Sequence, residues 1–413
     1  MRDQVPTYYC GIDVGSSATR CVVGIQDQND PSKIAVVGHG SAVNTGMRKG
    51  VISHPDEVSD AIVKAVTEAE RVSGARISTA TVNVNGSHIQ GMNSRGVIAI
   101  STANKQISSA DRLRVEEAAE AIQLPPNKEI IQRFSRNYRV DGQDNIKNPV
   151  DMEGVRLEVD VHLVTASTPH VRALYDVLSD ARIYPNRYTL SSLAAAEVTL
   201  NRQQREAGTL LLDIGAGTTN IAIIEDGEVL HVAVIPMGGM HVTNDLAIGL
   251  RTDLAIAELV KLEHASLESH DPLDGEVTVT YKEETHSFSA SDVSVIIESR
   301  VDEILEYVEK ELQRIKKAQK LPGGVVLVGG SAQLQGIADY TREKLQLAAR
   351  IGSIQQVSGL IDTIDNPAYC TAVGLMTLDM LLGPDSSMEV GEPNSGFFGF
   401  IEGLWPFGGR KKQ

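Results

Sequence analysis

The chain has 413 residues, 42% of them hydrophobic and 22% charged, which suits a globular protein of two or three domains, each able to bury a core. A formal net charge of −16 sets its surface against nonspecific contact with nucleic acid, whose phosphates it would repel. No apolar run reaches the roughly 18 residues that cross a bilayer as a helix, and the N-terminus leads into a strand without the pattern of a signal peptide.

In chain order, the apolar run Tyr8-Tyr-Cys-Gly-Ile is the first predicted strand, followed by the loop Asp13-Val-Gly-Ser-Ser. A second strand pair is expected around 34–37. A helix is expected over 55–70, where Val58, Ile62, Val63, Val66 and Ala69 fall at helical spacing. Residues 87–166 interrupt this plan with strands of their own and a helix over 109–122, ended by Pro125 and Pro126, as an inserted subdomain would. A helix over 169–181 brings the chain back. The run Thr209-Leu-Leu-Leu then enters a second loop, Asp213-Ile-Gly-Ala-Gly-Thr-Thr, a near copy of the first about 200 residues on. After the loop Pro236-Met-Gly-Gly-Met, residues 241–300 read as helix and polar turns. A helix over 300–320 places Val301, Ile304, Leu305, Val308, Leu312 and Ile315 on one face, a core stripe and not a coiled-coil seam. The run Gly324-Val-Val-Leu-Val leads to a third glycine loop, Val328-Gly-Gly-Ser-Ala, and a helix over 371–382 closes the folded body. Strands alternating with helices predict an α/β fold. Cys10, Cys21 and Cys370 lie in apolar surroundings without paired spacing and are expected as buried, reduced thiols.

The three loops carry the chemistry. Glycine after a strand lets backbone N–H groups approach a phosphate with no Cβ in the way. The hydroxyls of Ser16, Ser17, Thr218 and Thr219 can donate to phosphate oxygens, and Asp13 and Asp213 can each hold Mg²⁺ through water. One such loop alone would mark a strand-to-turn connection. Two near copies followed by a Gly-Gly turn, in fixed order, define a nucleotide clamp that includes Gly15, Gly215, Gly217, Gly239, Gly329, Gly330 and Ser331.

From 383 to 395 the composition turns to Gly, Pro, Ser, Asp and Glu, which reads as a flexible linker with a reach of about 20 Å. Residues 396–413 then hold four of the six Phe and the only Trp. Phe397, Phe400, Ile401 and Leu404 fall on one helical face with Trp405 beside them; Pro406 ends that helix, and Arg410, Lys411 and Lys412 follow. The pattern predicts an amphipathic helix lying in an anionic lipid headgroup layer, with a groove on its own body or on a partner protein as the competing dock. The polar face is thin, so one tail is a reversible anchor, and firm attachment takes several tails on one polymer.

This set of loops resembles the actin-like ATPase superfamily: actin, DnaK-type chaperones, sugar kinases, MreB, PilM and FtsA. The resemblance implies an actin-like α/β fold with two related domains around a cleft that takes ATP and Mg²⁺. The first two loops would be phosphate hairpins and the third the adenosine loop. Within the superfamily, Ile146-Lys-Asn-Pro-Val-Asp-Met-Glu-Gly, Leu193-Ala-Ala-Ala-Glu197, Ile235-Pro-Met-Gly-Gly-Met-His and Thr371-Ala-Val-Gly-Leu resemble the FtsA family, bacterial proteins that tie the FtsZ division ring to the membrane. The likeness runs over nearly the whole chain and includes the place of the insertion and the linker with its tail.

The resemblance implies a layout. A first actin-like domain spans 1–86 and is completed by 354–382; an FtsA-type inserted subdomain spans 87–166. A second actin-like domain spans 167–234 and is completed by 305–353, with an outer subdomain at 235–304. The linker covers 383–395 and the membrane-targeting tail 396–413. Implied partners are the FtsZ C-terminal tail at 235–304, further copies in a homopolymer, later division proteins, and the anionic inner face of the cell membrane at the division site. Glu258 and Lys261 match residues that bind ribose and adenine, and Glu197 is the candidate that orients water in a slow ATPase. Ala18 stands where many relatives carry Lys, with Arg20 on the same strand face as its substitute, and Met240 replaces a common Asn. The alternatives are a PilM-like assembly protein of a pilus or secretion system, which leaves the tail unexplained, and a sugar-kinase-type enzyme, which needs a dedicated carboxylate base.

Overall fold

Two sheets with the same strand order frame the molecule, seen in a computed structural model that describes residues 7–27, 30, 33–101, 105–268 and 275–383. In the first sheet, Tyr8–Val14, Ala18–Gln26 and Ile34–Val43 run as an antiparallel meander. Thr79–Val84 lies parallel to the first of these strands and Tyr184–Leu190 parallel to Thr79–Val84. In the second sheet, Thr209–Ile214, Thr219–Glu225 and Glu228–Ile235 repeat the meander, and Val325–Val328 and Ala349–Ile351 take the parallel places. Val357–Gly359 extends the first sheet at its edge. The repetition puts a tight hairpin at the same place in each half and fixes its register: Asp13 faces Arg20, and Asp213 faces Asn220.

Helices cover the sheets because their apolar stripes have nowhere else to go. Pro55–Ser73 starts on a proline, buries Val58, Ala61, Ile62, Ala65, Val66 and Ala69, and ends where Gly74 takes the left-handed conformation (φ 69°). Each large side chain on that stripe contributes about 1.5–3 kcal/mol by leaving water. Cys370–Leu382 is buried nearly all round, between the first sheet and the helix Ser191–Thr199.

The inserted segment builds its own antiparallel sheet, in the order Gln90–Ala99, Arg156–Ser167, Lys128–Val140, Gln143–Ile146. The helix Ser109–Glu120, capped by Ser108 in a box with Asp111, packs on it and closes a separate core around Val115, Leu157, Val159 and Leu163. It leaves from the end of Thr79–Val84 and returns into the helix Thr168–Asp180.

The outer part of the second half holds the helices Gly239–Gly249 and Leu254–His264, the hairpin Glu276–Tyr281/Glu284–Ser289 and the helix Ala290–Arg314. The last of these corrects the expected span of 300–320. It begins ten residues earlier, where Ser289 accepts the Asp292 amide at 3.3 Å, and Val293 and Ile297 extend the buried stripe. It stops at Arg314 because the chain turns back: Lys316 adopts φ 61° and the Lys317 amide closes on Leu312 O. All three cysteines are free and buried, with Cys10 and Cys21 Sγ 3.5 Å apart. Among the described residues no helix is long and apolar enough to cross a membrane. The linker and the tail residues Phe397, Phe400, Ile401, Leu404, Trp405, Arg410, Lys411 and Lys412 lie outside the described residues.

Candidate functional site

Each hairpin closes on itself in the same way: the Gly15 amide donates to Ala18 O at 3.2 Å and the Gly215 amide to Thr218 O at 2.9 Å. These two glycines therefore shape the turns, and the amides at the tips are those of Ser16, Ser17, Ala216 and Gly217. The tips meet across the cleft. A Cβ on Gly217 would lie 2.7 Å from Ser16 Oγ and 3.3 Å from the Lys49 amide, so only glycine permits the approach. Ser16 Oγ accepts the Gly50 amide at 3.2 Å, and Thr218 Oγ1 accepts Asn85 Nδ2 at 3.0 Å. A hydroxyl that accepts from one side keeps its own proton for another acceptor. Ser17 is exposed on its tip. Thr219 is different: it is fully buried and donates to Met237 O at 2.9 Å, which commits the hydroxyl that the sequence reading assigned to phosphate.

The two aspartates sit beneath the tips, each with one amide donor. Asn83 Nδ2 donates to Asp13 Oδ1 at 2.7 Å, and Asn220 Nδ2 to Asp213 Oδ2 at 3.0 Å. Burial pushes the Asp13 carboxyl up to about 7, against the pull of Arg20 and with a further push from Asp213. Burial likewise lifts Asp213 to about 6, opposed by the Asn220 hydrogen bond and by Arg20. Arg20 thus serves both carboxylates; its guanidinium lies 5.3 Å from the Tyr369 ring, and its Nε is buried without a hydrogen-bond partner. Among the described residues no three His, Cys, Asp or Glu gather into a metal cluster, so a cation here would lean on these two carboxylates and water.

The third loop closes the cleft from the side of the second half. Gly329 (φ 87°) passes so near Asp213 that a Cβ would stand 2.5 Å from its Oδ1. Gly330 faces open space, and Ser331 Oγ donates to Gly215 O at 3.4 Å. The Gly239 and Met240 amides bond to Gly215 O and Ala216 O, which lays the start of the helix Gly239–Gly249 on the second hairpin. Lys261 Nζ reaches Glu258 Oε2 at 2.6 Å and Gly239 O at 3.3 Å, so that pair joins the same cluster.

Glu197 does not join it. Ser191, at the start of its helix, touches the cluster through Asn83 at 3.0 Å, but Glu197 lies six residues further, about 9 Å along the axis. There it pairs with Arg205 at 3.7 Å, and Arg205 also donates to Ala196 O and Glu197 O at the helix end. Burial raises the Glu197 carboxyl to about 7 and lowers Arg205 to about 10. Sequence reasoning missed Asn83, Asn85 and Asn220. A legible signal existed for Asn220, which sits seven residues after Asp213 as Arg20 does after Asp13.

Two matched sheets, paired hairpins meeting across a cleft and a glycine loop beside them define an actin-like protein, here carrying an inserted four-stranded subdomain. Residues 210–374 match the family model for cell division protein FtsA, and residues 86–165 match that for the SHS2 domain inserted in FtsA. FtsA of Pseudomonas aeruginosa is 33% identical over 369 residues, covering 89% of this chain and 88% of the relative. FtsA of Bacillus subtilis is 37% identical over 372 residues, covering 89% and 82%. The chain belongs to the FtsA family of cell division proteins. Solved structures of similar fold include the PilM–PilN type IV pilus biogenesis complex (TM-score 0.64, 17% identity, 90% of this chain and 98% of that one). Another is MreB5 of Spiroplasma citri bound to ADP (TM-score 0.55, 14% identity, 91% and 97%).

Proposed function

We propose that this chain binds ATP with Mg²⁺ between its hairpins, assembles into filaments on the cytoplasmic face of the cell membrane, ties the FtsZ ring to that membrane and recruits later division proteins. The observation that carries the reading is the meeting of the hairpins: Ser16 lies against Gly217 while Asn85 reaches Thr218, so that one ligand would contact both halves. Membership of the FtsA family supports the division role.

In this reading the tip amides and the hydroxyls of Ser16 and Thr218 hold phosphate oxygens. Asp13 and Asp213 suit a hydrated divalent cation, which supplies charge neutralisation on the phosphates when bound. Gly239, Glu258, Lys261, Gly329, Gly330 and Ser331 hold the nucleoside. Glu197 orients the attacking water only once its pair with Arg205 opens and its carboxyl turns toward the cleft. Turnover is slow, and bound nucleotide chiefly fixes domain closure and filament formation. The segment 235–304 takes the FtsZ tail, and the aromatic tail at 396–413 takes the lipid. Likeness to PilM rests on fold alone and supports no pilus role.

Pelleting with anionic liposomes and Mg-ATP tests the tether, comparing the full chain with residues 1–395. The expected result is that only the full chain pellets and that it carries FtsZ down with it. Equal pelleting of both, or of neither, refutes the membrane role of the tail.

A further inference from the structure

The strand Thr79–Val84 leads out of the first sheet through two asparagines, Asn83 and Asn85, and each serves a different hairpin. Asn83 Oδ1 accepts the Val14 amide at 2.7 Å, while its Nδ2 holds Asp13. Asn85 Oδ1 accepts the Gly86 amide at 2.7 Å. That bond fixes which end of the Asn85 amide faces Thr218: the NH₂ must donate, and the threonine oxygen must accept. Thr218 is buried to 3% exposure, and this donor takes one acceptor position of its oxygen and keeps the hydroxyl proton turned away from Asn85.

The same segment is the root of the inserted subdomain. Just beyond Asn85, His88 Nδ1 accepts the Ser167 amide at 3.3 Å, and the His88 ring stacks on His170 at 4.8 Å. Both the exit and the return of the insertion are therefore gathered in one cluster that ends on the second hairpin. Gly50 and Gly86 pack so closely there that a Cβ on Gly50 would lie 2.6 Å from Gly86 Cα, which leaves the loop little room to shift independently.

We propose that Asn85 is a positioning residue of the cleft, which turns the Thr218 hydroxyl proton toward a phosphate oxygen and ties that setting to the root of the inserted subdomain. The inference rests on the reading of the cleft as a nucleotide site. It gives the insertion a direct way to sense whether phosphate is present, because a phosphate oxygen completes the hydrogen-bond chain from Asn85 through Thr218.

The test is a set of titrations of a fluorescent ATP analogue with Mg²⁺ on the full chain: wild type, Asn85→Ala, Thr218→Val, Thr218→Ser and the double variants, with Tm recorded for each. Asn85→Ala should weaken binding about fivefold, the usual worth of one neutral hydrogen bond. It should do so again in the Thr218→Ser background, which keeps the hydroxyl, and should add nothing in Thr218→Val, which lacks it. A purely structural role would weaken all three backgrounds alike, and that result overturns the proposal even if every variant also melts lower. Hydrogen exchange at 85–89 and 167–170 should slow when the analogue binds wild type but not Asn85→Ala; equal slowing in both also overturns it. If wild type binds no nucleotide at all, the cleft reading itself fails, an outcome distinct from nucleotide bound equally well with and without Asn85.

Discussion

Arg20 stands directly across the first hairpin from Asp13, and the matching position opposite Asp213 in the second hairpin is Asn220. One half thus supplies a cation and the other a neutral amide, and the single guanidinium lowers both buried carboxyls against the push of burial. The asymmetry matters for binding, because Ala18 offers no charge on this hairpin. Arg20→Ala should weaken Mg-ATP binding about tenfold, as expected for one charge-assisted contact, and Arg20→Lys should recover part of it. Titration calorimetry of the three proteins checks this; equal affinities would remove Arg20 from the site.

The raised aspartates give a pH dependence with a definite sign. Folded Asp13 and Asp213 keep protons that the unfolded chain releases near its ordinary carboxylate pKa of 3.8, so stability from this pair falls as pH rises from about 4 through 6–7. A bound divalent cation needs both groups ionised, so the gain in Tm from Mg-ATP should be larger at pH 8 than at pH 6. Asp13→Asn should flatten the fall in Tm between pH 5.5 and 7.5 in nucleotide-free protein. Scanning calorimetry across that range reads both effects, and an unchanged slope would contradict them.

A second titration sits where the insertion meets the second half. His162 is buried, its Nδ1 bonds to Asn93 Oδ1 at 2.7 Å, and its Nε2 accepts the Val232 amide at 3.2 Å, which requires the neutral ring. His231 lies edge-on at 5.4 Å and bonds to Glu311, with Arg136 and Arg314 also nearby. Burial, then His231 and the arginines, hold His162 down to about 3. Its folded pKa lies below the ordinary 6.5, so this contribution is complete above pH 6.5 and is lost as pH falls toward 3, by up to about 1.4 kcal/mol per pH unit. Amide protection over 87–166, taken relative to the intrinsic exchange rate at each pH, should therefore fall at pH 5.5 relative to 7.5, and His162→Gln should abolish most of that change. Identical protection at both pH values would refute the seam as a proton-sensitive contact.

The crossing of the helices Ser191–Thr199 and Cys370–Leu382 allows no side chain at Gly374, where a Cβ would fall 1.8 Å from Ala194 O. The obstacle is backbone, so it cannot swing aside. Gly374→Ala should cost about 3 kcal/mol, the upper end for an overpacked core, and should show as a lower denaturant midpoint. A neutral effect would mean that the two helices part easily.

Much of this was readable from residue order. The two Asp-x-Gly loops and the Gly-Gly turn announced the hairpins and the cleft between them, because tight turns and the close approach of Gly217 to Ser16 and of Gly329 to Asp213 leave no room for a Cβ, and that demand is written in glycine. The start of the helix Ala290–Arg314 was also written, in Ser289 as cap and in Val293 and Ile297 as stripe, but the preceding polar turns masked it. Asn83 and Asn85 were not legible, because an asparagine at or just past the end of a strand reads equally as a turn. Only the place of Thr79–Val84 beside Tyr8–Val14 in the first sheet, with Asn85 just past its end facing the second hairpin, gives each a partner 70 and 133 residues away in sequence. Thr219 differs from its neighbour in a way residue order does not show: the strand's alternation turns its hydroxyl inward to Met237 O.

The measurement that bears most directly on the cleft is titration calorimetry of Mg-ATP into the full chain and into Asp213→Asn. One nucleotide per chain is expected, with at least a tenfold loss of affinity in the variant when Mg²⁺ is present, since the loop contacts survive but one metal-side carboxylate is gone. No binding to wild type, or equal binding to both, would contradict it.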